Sequence, residues 1–124
     1  PTLDASCTNK QLSIKLKLRP HMVQLFFYVP STHLKEVKTA IFTTNAGTIG
    51  NYDSCCWQTL GEGQFRPLEG NNAFIGETGK LEAVPEYRVE LVCTAEQIHD
   101  AVEAMQEAHP YEEPAYGVIK LEDF

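Results

Sequence analysis

Positive charge is scarce in this 124-residue chain. Its 10 Lys and Arg stand against 17 Asp and Glu, for a formal net charge of −7 and a pI near 5.0. Such a chain repels phosphate backbones, which disfavours a general nucleic-acid partner. Long apolar runs are missing as well. None approaches the roughly 20 residues that a membrane-spanning helix needs, so no membrane partner is expected. The cysteines Cys7, Cys55, Cys56 and Cys93 include no CxxC spacing. That argues against a Cys-bound zinc site and predicts reduced thiols packed as small hydrophobes in a cytoplasmic protein.

Catalytic signatures are absent too. Gly61-Glu62-Gly63 lacks the Lys and the following helix of a phosphate-binding loop. Ser54 and Thr59 have no placed His and Asp partners, so a nucleophile triad is unsupported. The expectation is therefore a protein that is not an enzyme, with no catalytic residues. What remains is 43% hydrophobic and 22% charged at 13.9 kDa, enough for one core but not for two lobes around a cleft.

The few basic residues are unevenly spread. Residues 1–21 hold four of them (Lys10, Lys15, Lys17 and Arg19) against Asp4, whereas 22–124 hold six against sixteen acidic residues. The break falls at His21-Met22, the dipeptide a common cloning site leaves before a start codon. Residues 1–21 therefore read as a leader added in cloning, with a native basic arm as the alternative, and 22–124 as a single domain. Leu12, Ile14, Leu16 and Leu18 alternate with polar residues. This predicts an extended segment at 11–18 that adds to a sheet edge, on this chain or a neighbouring one.

From residue 22 the pattern becomes regular. Residues 22–29 are apolar, aromatic and β-branched, which predicts a buried central strand ended by Pro30. Ser31 or Thr32 is expected to cap a helix running to about Thr44, with Leu34, Val37, Ala40 and Ile41 on one face. Residues 48–59 and 64–66 read as the two sides of a hairpin arm turning at Gly61-Glu62-Gly63. The Gly- and Asn-rich stretch 67–80 reads as loop. Residues 81–93 return to strand, with Tyr87, Val89, Leu91 and Cys93 alternating against Arg88 and Glu90. Thr94-Ala95-Glu96-Gln97 is a capping box opening an amphipathic helix that stops at His109-Pro110. Tyr116–Leu121 forms a last strand.

The order is β-α-β-β-α-β with a hairpin arm. It predicts an α+β, ferredoxin-like domain: an antiparallel sheet with two helices on one face. The other face would then carry aromatics, with Phe26, Tyr28 and Tyr87 as the expected ones. A single domain does not normally leave such a surface in water, so a homo-oligomer is expected.

Three segments carry a resemblance. They are 51–59 (Asn51-Tyr52-Asp53-Ser54-Cys55-Cys56-Trp57-Gln58-Thr59), 61–67 (Gly61-Glu62-Gly63-Gln64-Phe65-Arg66-Pro67) and 109–116 (His109-Pro110-Tyr111-Glu112-Glu113-Pro114-Ala115-Tyr116). In this order, within a match running from about residue 22 to about residue 122, they resemble the domain inserted in bacterial members of the NIF-three-like family (NGG-interacting factor three). Small stand-alone proteins made of that domain are similar. The resemblance implies the CutA/PII-like variant of the ferredoxin-like fold, assembled as a homotrimer through its sheets. Full-length members also hold a dinuclear metal centre in flanking domains. None of its ligands carries over to a residue of this chain, and neither does hydrolase chemistry.

Two groups of residues are the candidates for function. In the first, His109 with Glu112 or Glu113 could ligate a divalent metal ion, the one cofactor the sequence suggests. The helix dipole would favour a protonated His109. Alternatively, 109–114 is a rigid turn in which prolines fix the chain and Tyr111 and Tyr116 pack. In the second, Trp57, Gln64, Phe65 and Arg66 line an inter-subunit cleft for a small molecule, or anchor a neighbouring subunit. Arg66 should find an acidic partner in Glu112 or Glu113, on this chain or the next. His33 reads as a solvated or capping residue and His99 as surface. The leading expectation is a non-catalytic binding or regulatory module with ligand clefts. The alternatives are a divalent-metal binding or tolerance protein like CutA, and an accessory subunit to separately encoded metal-centre domains.

Overall fold

The computed structural model describes residues 21–124. The expected edge strand at 11–18, the proposed leader and Cys7 lie outside them. Strand β1 spans Met22–Pro30, followed by a 3-10 turn at Ser31–His33 and helix α1 at Leu34–Phe42. Strand β2 is Trp57–Phe65, β3 is Glu82–Thr94, helix α2 is Ile98–Ala108 and β4 is Tyr116–Lys120. The sheet order is β2-β3-β1-β4, and every neighbouring pair is antiparallel. The α+β ferredoxin-like plan is therefore the observed one.

Period-two alternation in β1 divides the molecule. Val23, Leu25, Phe27 and Val29 are buried, while Gln24, Phe26 and Tyr28 between them are half-buried. The buried row joins Val89, Leu91 and Cys93 of β3, Val37 and Ile41 of α1, and Ala101 and Met105 of α2 in one core. Both helices thus cover the same face of the sheet. The register places Phe26 opposite Gly117 and Glu90, Tyr28 opposite Arg88, and Gln24 opposite Ile119, all on the face without helices.

Four local expectations need correction. First, β2 is one continuous strand, so Gly61-Glu62-Gly63 makes no turn. Gly61 and Gly63 have ordinary φ, and the positive-φ glycines of the connection are Gly70, Gly76 and Gly79. The reversal lies in 66–81. Gly63 is small for another reason: a Cβ there would overlap the Glu86 carboxylate. Second, residues 48–56 form no strand. A single bridge between Ile49 and Tyr52 closes a tight turn there. Third, neither Ser31 nor Thr32 caps α1. Pro30 leads into the 3-10 turn, and the Thr32 hydroxyl pairs with His33 Nδ1 at 2.9 Å. Fourth, Tyr87 is opposite Val29 and packs on the core beneath the helices, not on the open face.

The capping box forms as expected. Thr94 Oγ1 accepts from Gln97 N at 3.1 Å, and Gln97 Oε1 accepts from Thr94 N at 3.0 Å. Among the described residues no helix is long and apolar enough to cross a membrane.

On the open face the Phe26 ring lies over Gly117, where a Cβ would overlap it. Gly117→Ala is expected to push that ring aside and destabilise the domain by about 1–3 kcal/mol in urea unfolding. An unchanged midpoint would show that the ring position is not constrained.

Candidate functional site

The segment after α2 is tied to β1 through both backbone groups of one residue. Tyr28 N donates to Ala115 O at 3.1 Å, and Tyr28 O receives the His109 Nε2 proton at 2.7 Å. The other ring nitrogen, His109 Nδ1, accepts from Tyr111 N at 3.1 Å. A backbone amide can only donate, so Nδ1 carries no proton and the ring is neutral with its proton on Nε2. His109 is 7% exposed. Burial lowers its pKa first, the Tyr28 carbonyl opposes that, and the charge of His33 lowers it further. The protonated histidine expected from the helix dipole is therefore not the native form: desolvation outweighs the dipole here.

This joint positions Tyr111. Its hydroxyl donates to Glu86 Oε2 at 2.8 Å, and its ring meets Phe65 at a centroid distance of 5.8 Å. Burial, followed by the hydrogen bond to Glu86 and its negative charge, raises the Tyr111 pKa well above the ordinary phenol value. Tyr111 thus stays a neutral donor. Across from it, the long 66–81 connection is organised by Asn71. Its Nδ2 donates to Leu68 O at 2.6 Å and Thr78 Oγ1 at 2.8 Å, and its Oδ1 accepts from Ala73 N at 3.0 Å. Glu112 joins the two walls by accepting from Asn72 N at 2.8 Å.

Between these walls lies a cavity of about 500 Å³, formed within one chain. Of the residues singled out in the sequence, Gln64, Phe65, Tyr111, Glu112 and Glu113 line it. Trp57 does not. It sits at the far end of β2, 70% exposed, beside a smaller hollow of about 230 Å³ next to Cys55 and Cys56. Tyr116 is on the helix side, its hydroxyl accepting from Gln106 Nε2 at 3.3 Å. Arg66 is exposed, is not among the lining residues, and forms no ion pair with Glu112 or Glu113 of the same chain. Glu112 instead accepts the Asn72 amide.

His109 is not disposed as a metal ligand, because both ring nitrogens are engaged with backbone. Among the described residues no three His, Cys, Asp or Glu side chains converge to hold a metal ion. His33 pairs with Glu36 at 3.8 Å and meets Phe74 edge-on at 5.2 Å, and His99 is exposed.

Sequence reasoning missed Glu86, Phe74 and Glu69 in the cavity wall. Glu86 had a faint signal, as the partner of a strand glycine two residues beyond its cross-strand neighbour Gly61. Phe74 and Glu69 lie in a loop without periodicity and had none.

A four-stranded antiparallel sheet with both helices on one face defines a CutA-like, ferredoxin-like domain. The periplasmic divalent cation tolerance protein CutA from Archaeoglobus fulgidus has this fold, with a TM-score of 0.60 at 15% identity over 83% of this chain and 86% of that one. No family model matches the chain. Curated relatives are more specific. It is 44% identical over 100 residues to a GTP cyclohydrolase 1 type 2 homolog of Halalkalibacterium halodurans, covering 81% of this chain and 27% of that protein. The Bacillus subtilis homolog is 40% identical over 99 residues, covering 80% and 26%. A Bacillus cereus protein related to NIF3 superimposes with a TM-score of 0.72 at 39% identity, over 84% of this chain and 26% of that one. The chain is homologous to a segment of these NIF3-related proteins and spans about a quarter of the length of the curated relatives it matches.

Because the folded pKa of His109 is lowered, the unfolded chain binds more protons below the ordinary value of 6.5. Stability is then fully present above that value and is lost as pH falls through the folded pKa. We expect the urea midpoint to drop as pH falls below the ordinary histidine value of 6.5. His109→Gln should flatten that part of the profile while costing about 1–3 kcal/mol at neutral pH from the disrupted buried hydrogen bonds. An equally steep profile in the variant would assign the titration elsewhere.

Proposed function

We propose that this chain is a non-catalytic binding module that self-associates as a homotrimer through the open face of its sheet, each subunit offering a cleft to a small ligand. The observation that carries this reading is the one-sided placement of the helices. Phe26, Tyr28, Trp57 and Ile119 are left on the uncovered face, with Trp57 70% and Ile119 45% exposed. Arg88 is already neutralised locally on that face, which lowers the cost of burying it. Arg88 lies 4.3 Å from the Phe26 ring centroid, donates to Tyr28 Oη at 2.6 Å, and has Glu90 at 3.5 Å.

Free Cys55, Cys56 and Cys93 support action in a reducing compartment such as the cytoplasm. A second reading also has support. In relatives roughly four times as long as the matched segment, that segment is joined to other parts, which supports a role as an accessory to the metal-centre domains that the resemblance implies. A divalent-cation role like that named for CutA is less supported, because His109 has no free ring nitrogen.

Light scattering on the purified chain should give three times the protomer mass at micromolar concentration. Ile119→Glu should give a folded monomer, with native circular dichroism, because it places a charge on the buried side of the contact. A monomeric parent protein would overturn the self-association reading.

A further inference from the structure

The cavity described above has a lining of one charge sign. All four of its charged residues are glutamates: Glu69, Glu86, Glu112 and Glu113. None of them forms an ion pair among the described residues, where the pairs are His33–Glu36, Lys80–Glu77 and Arg88–Glu90. Arg66 lies between the lining residues Phe65 and Pro67 but does not itself line the space. Four aromatic residues share the lining with them: Tyr28, Phe65, Phe74 and Tyr111. One of these rings is held in place, Tyr111 by Glu86 and by the His109 joint, while Phe74 meets the His33 ring at a centroid distance of 5.2 Å.

We infer that this cavity takes a small organic cation with a flat body, an amidinium or aryl ammonium in chemical class. Aromatic faces and uncompensated carboxylates both attract a desolvated cation, and they do so cooperatively in a concave site that concentrates the field. The volume of about 500 Å³ lies within the span of small-molecule sites. Glu86 is the fixed anionic contact. One of its carboxylate oxygens receives the Tyr111 proton, and the side chain lies against Gly63, where no Cβ competes for the space. Glu69, Glu112 and Glu113 are exposed and supply attraction that salt screens. The same lining repels phosphate esters, since no cationic side chain faces the space. The GTP in the name of the longer relatives therefore has no counterpart in this cavity.

The inference rests on reading the chain as a binding module, and one titration separates the two. Amide chemical shifts of the full chain are followed by NMR while benzamidinium, benzamide and benzoate are added in turn. These probes share a shape and differ in charge. Benzamidinium should perturb the amides of Phe65, Tyr111 and Glu112 and bind at least about tenfold more tightly than benzamide, with the preference shrinking in high salt. Benzoate should not bind. The double variant Glu69→Gln, Glu113→Gln changes only exposed side chains and should lower the benzamidinium preference severalfold without altering the rest of the spectrum. Tighter binding of benzamide or benzoate in the cavity would overturn the cation inference and leave the binding module standing. No response to any of the three would overturn both statements about the cleft, and leave self-association to be decided by light scattering.

Discussion

Strand β1 is the constraint on which the rest of the molecule depends. It is hydrogen-bonded along both edges, to β3 and to β4. It is also buried on alternate residues by both helices. A one-residue slip would carry Leu25 and Phe27 into solvent and Gln24 into the core, so the register of the whole sheet is set by this strand. Its last residues do a second job. The amide and carbonyl of Tyr28 hold the segment that follows α2. The strand that organises the core thus also places one wall of the cavity.

His109 is the joint in this arrangement. Buried between Tyr28 and Tyr111, it satisfies one backbone acceptor and one backbone donor with a single neutral ring. An aliphatic residue of similar volume would leave both groups unpaired at a cost of about 1–3 kcal/mol each. Its role is to hold Tyr111 in place, and Tyr111 in turn holds Glu86. The cavity wall is in this way anchored to the sheet through three consecutive contacts.

The elements were largely legible in the sequence because their signals are local. The alternation of β1, the Thr94–Gln97 capping box and the spacing of Ile98, Ala101, Val102 and Met105 each depend on neighbours within a few residues. Gly61 and Gly63 misled for a physical reason. Glycine marks either a turn or a close approach, and only the cross-strand position of Glu86 decides between them. Tyr87 misled because aromatic character does not say which face of a strand a ring occupies. Its pairing with Val29 does. Part of the cavity was legible as well: Gln64, Phe65, Tyr111, Glu112 and Glu113 were all singled out from sequence. Trp57 and Tyr116 were grouped with them, yet the sheet carries these two elsewhere.

By itself, the amino-acid sequence determined the class of fold, the order of its elements, the face each helix buries and the acidic character of the chain. These follow from periodicity, capping and composition, which act over short stretches. Only the tertiary structure decided that His109 is neutral and spoken for, that Arg66 forms no ion pair with Glu112 or Glu113 of its own chain, and that four glutamates share one cavity with four aromatic rings. These outcomes depend on contacts such as Tyr28 with His109, Glu86 with Tyr111 and Asn72 with Glu112. Residues 25 to 81 positions apart meet there because the sheet brings β1, β3, the 66–81 connection and the turn after α2 to one end. No local pattern encodes such a meeting; it is a product of the topology.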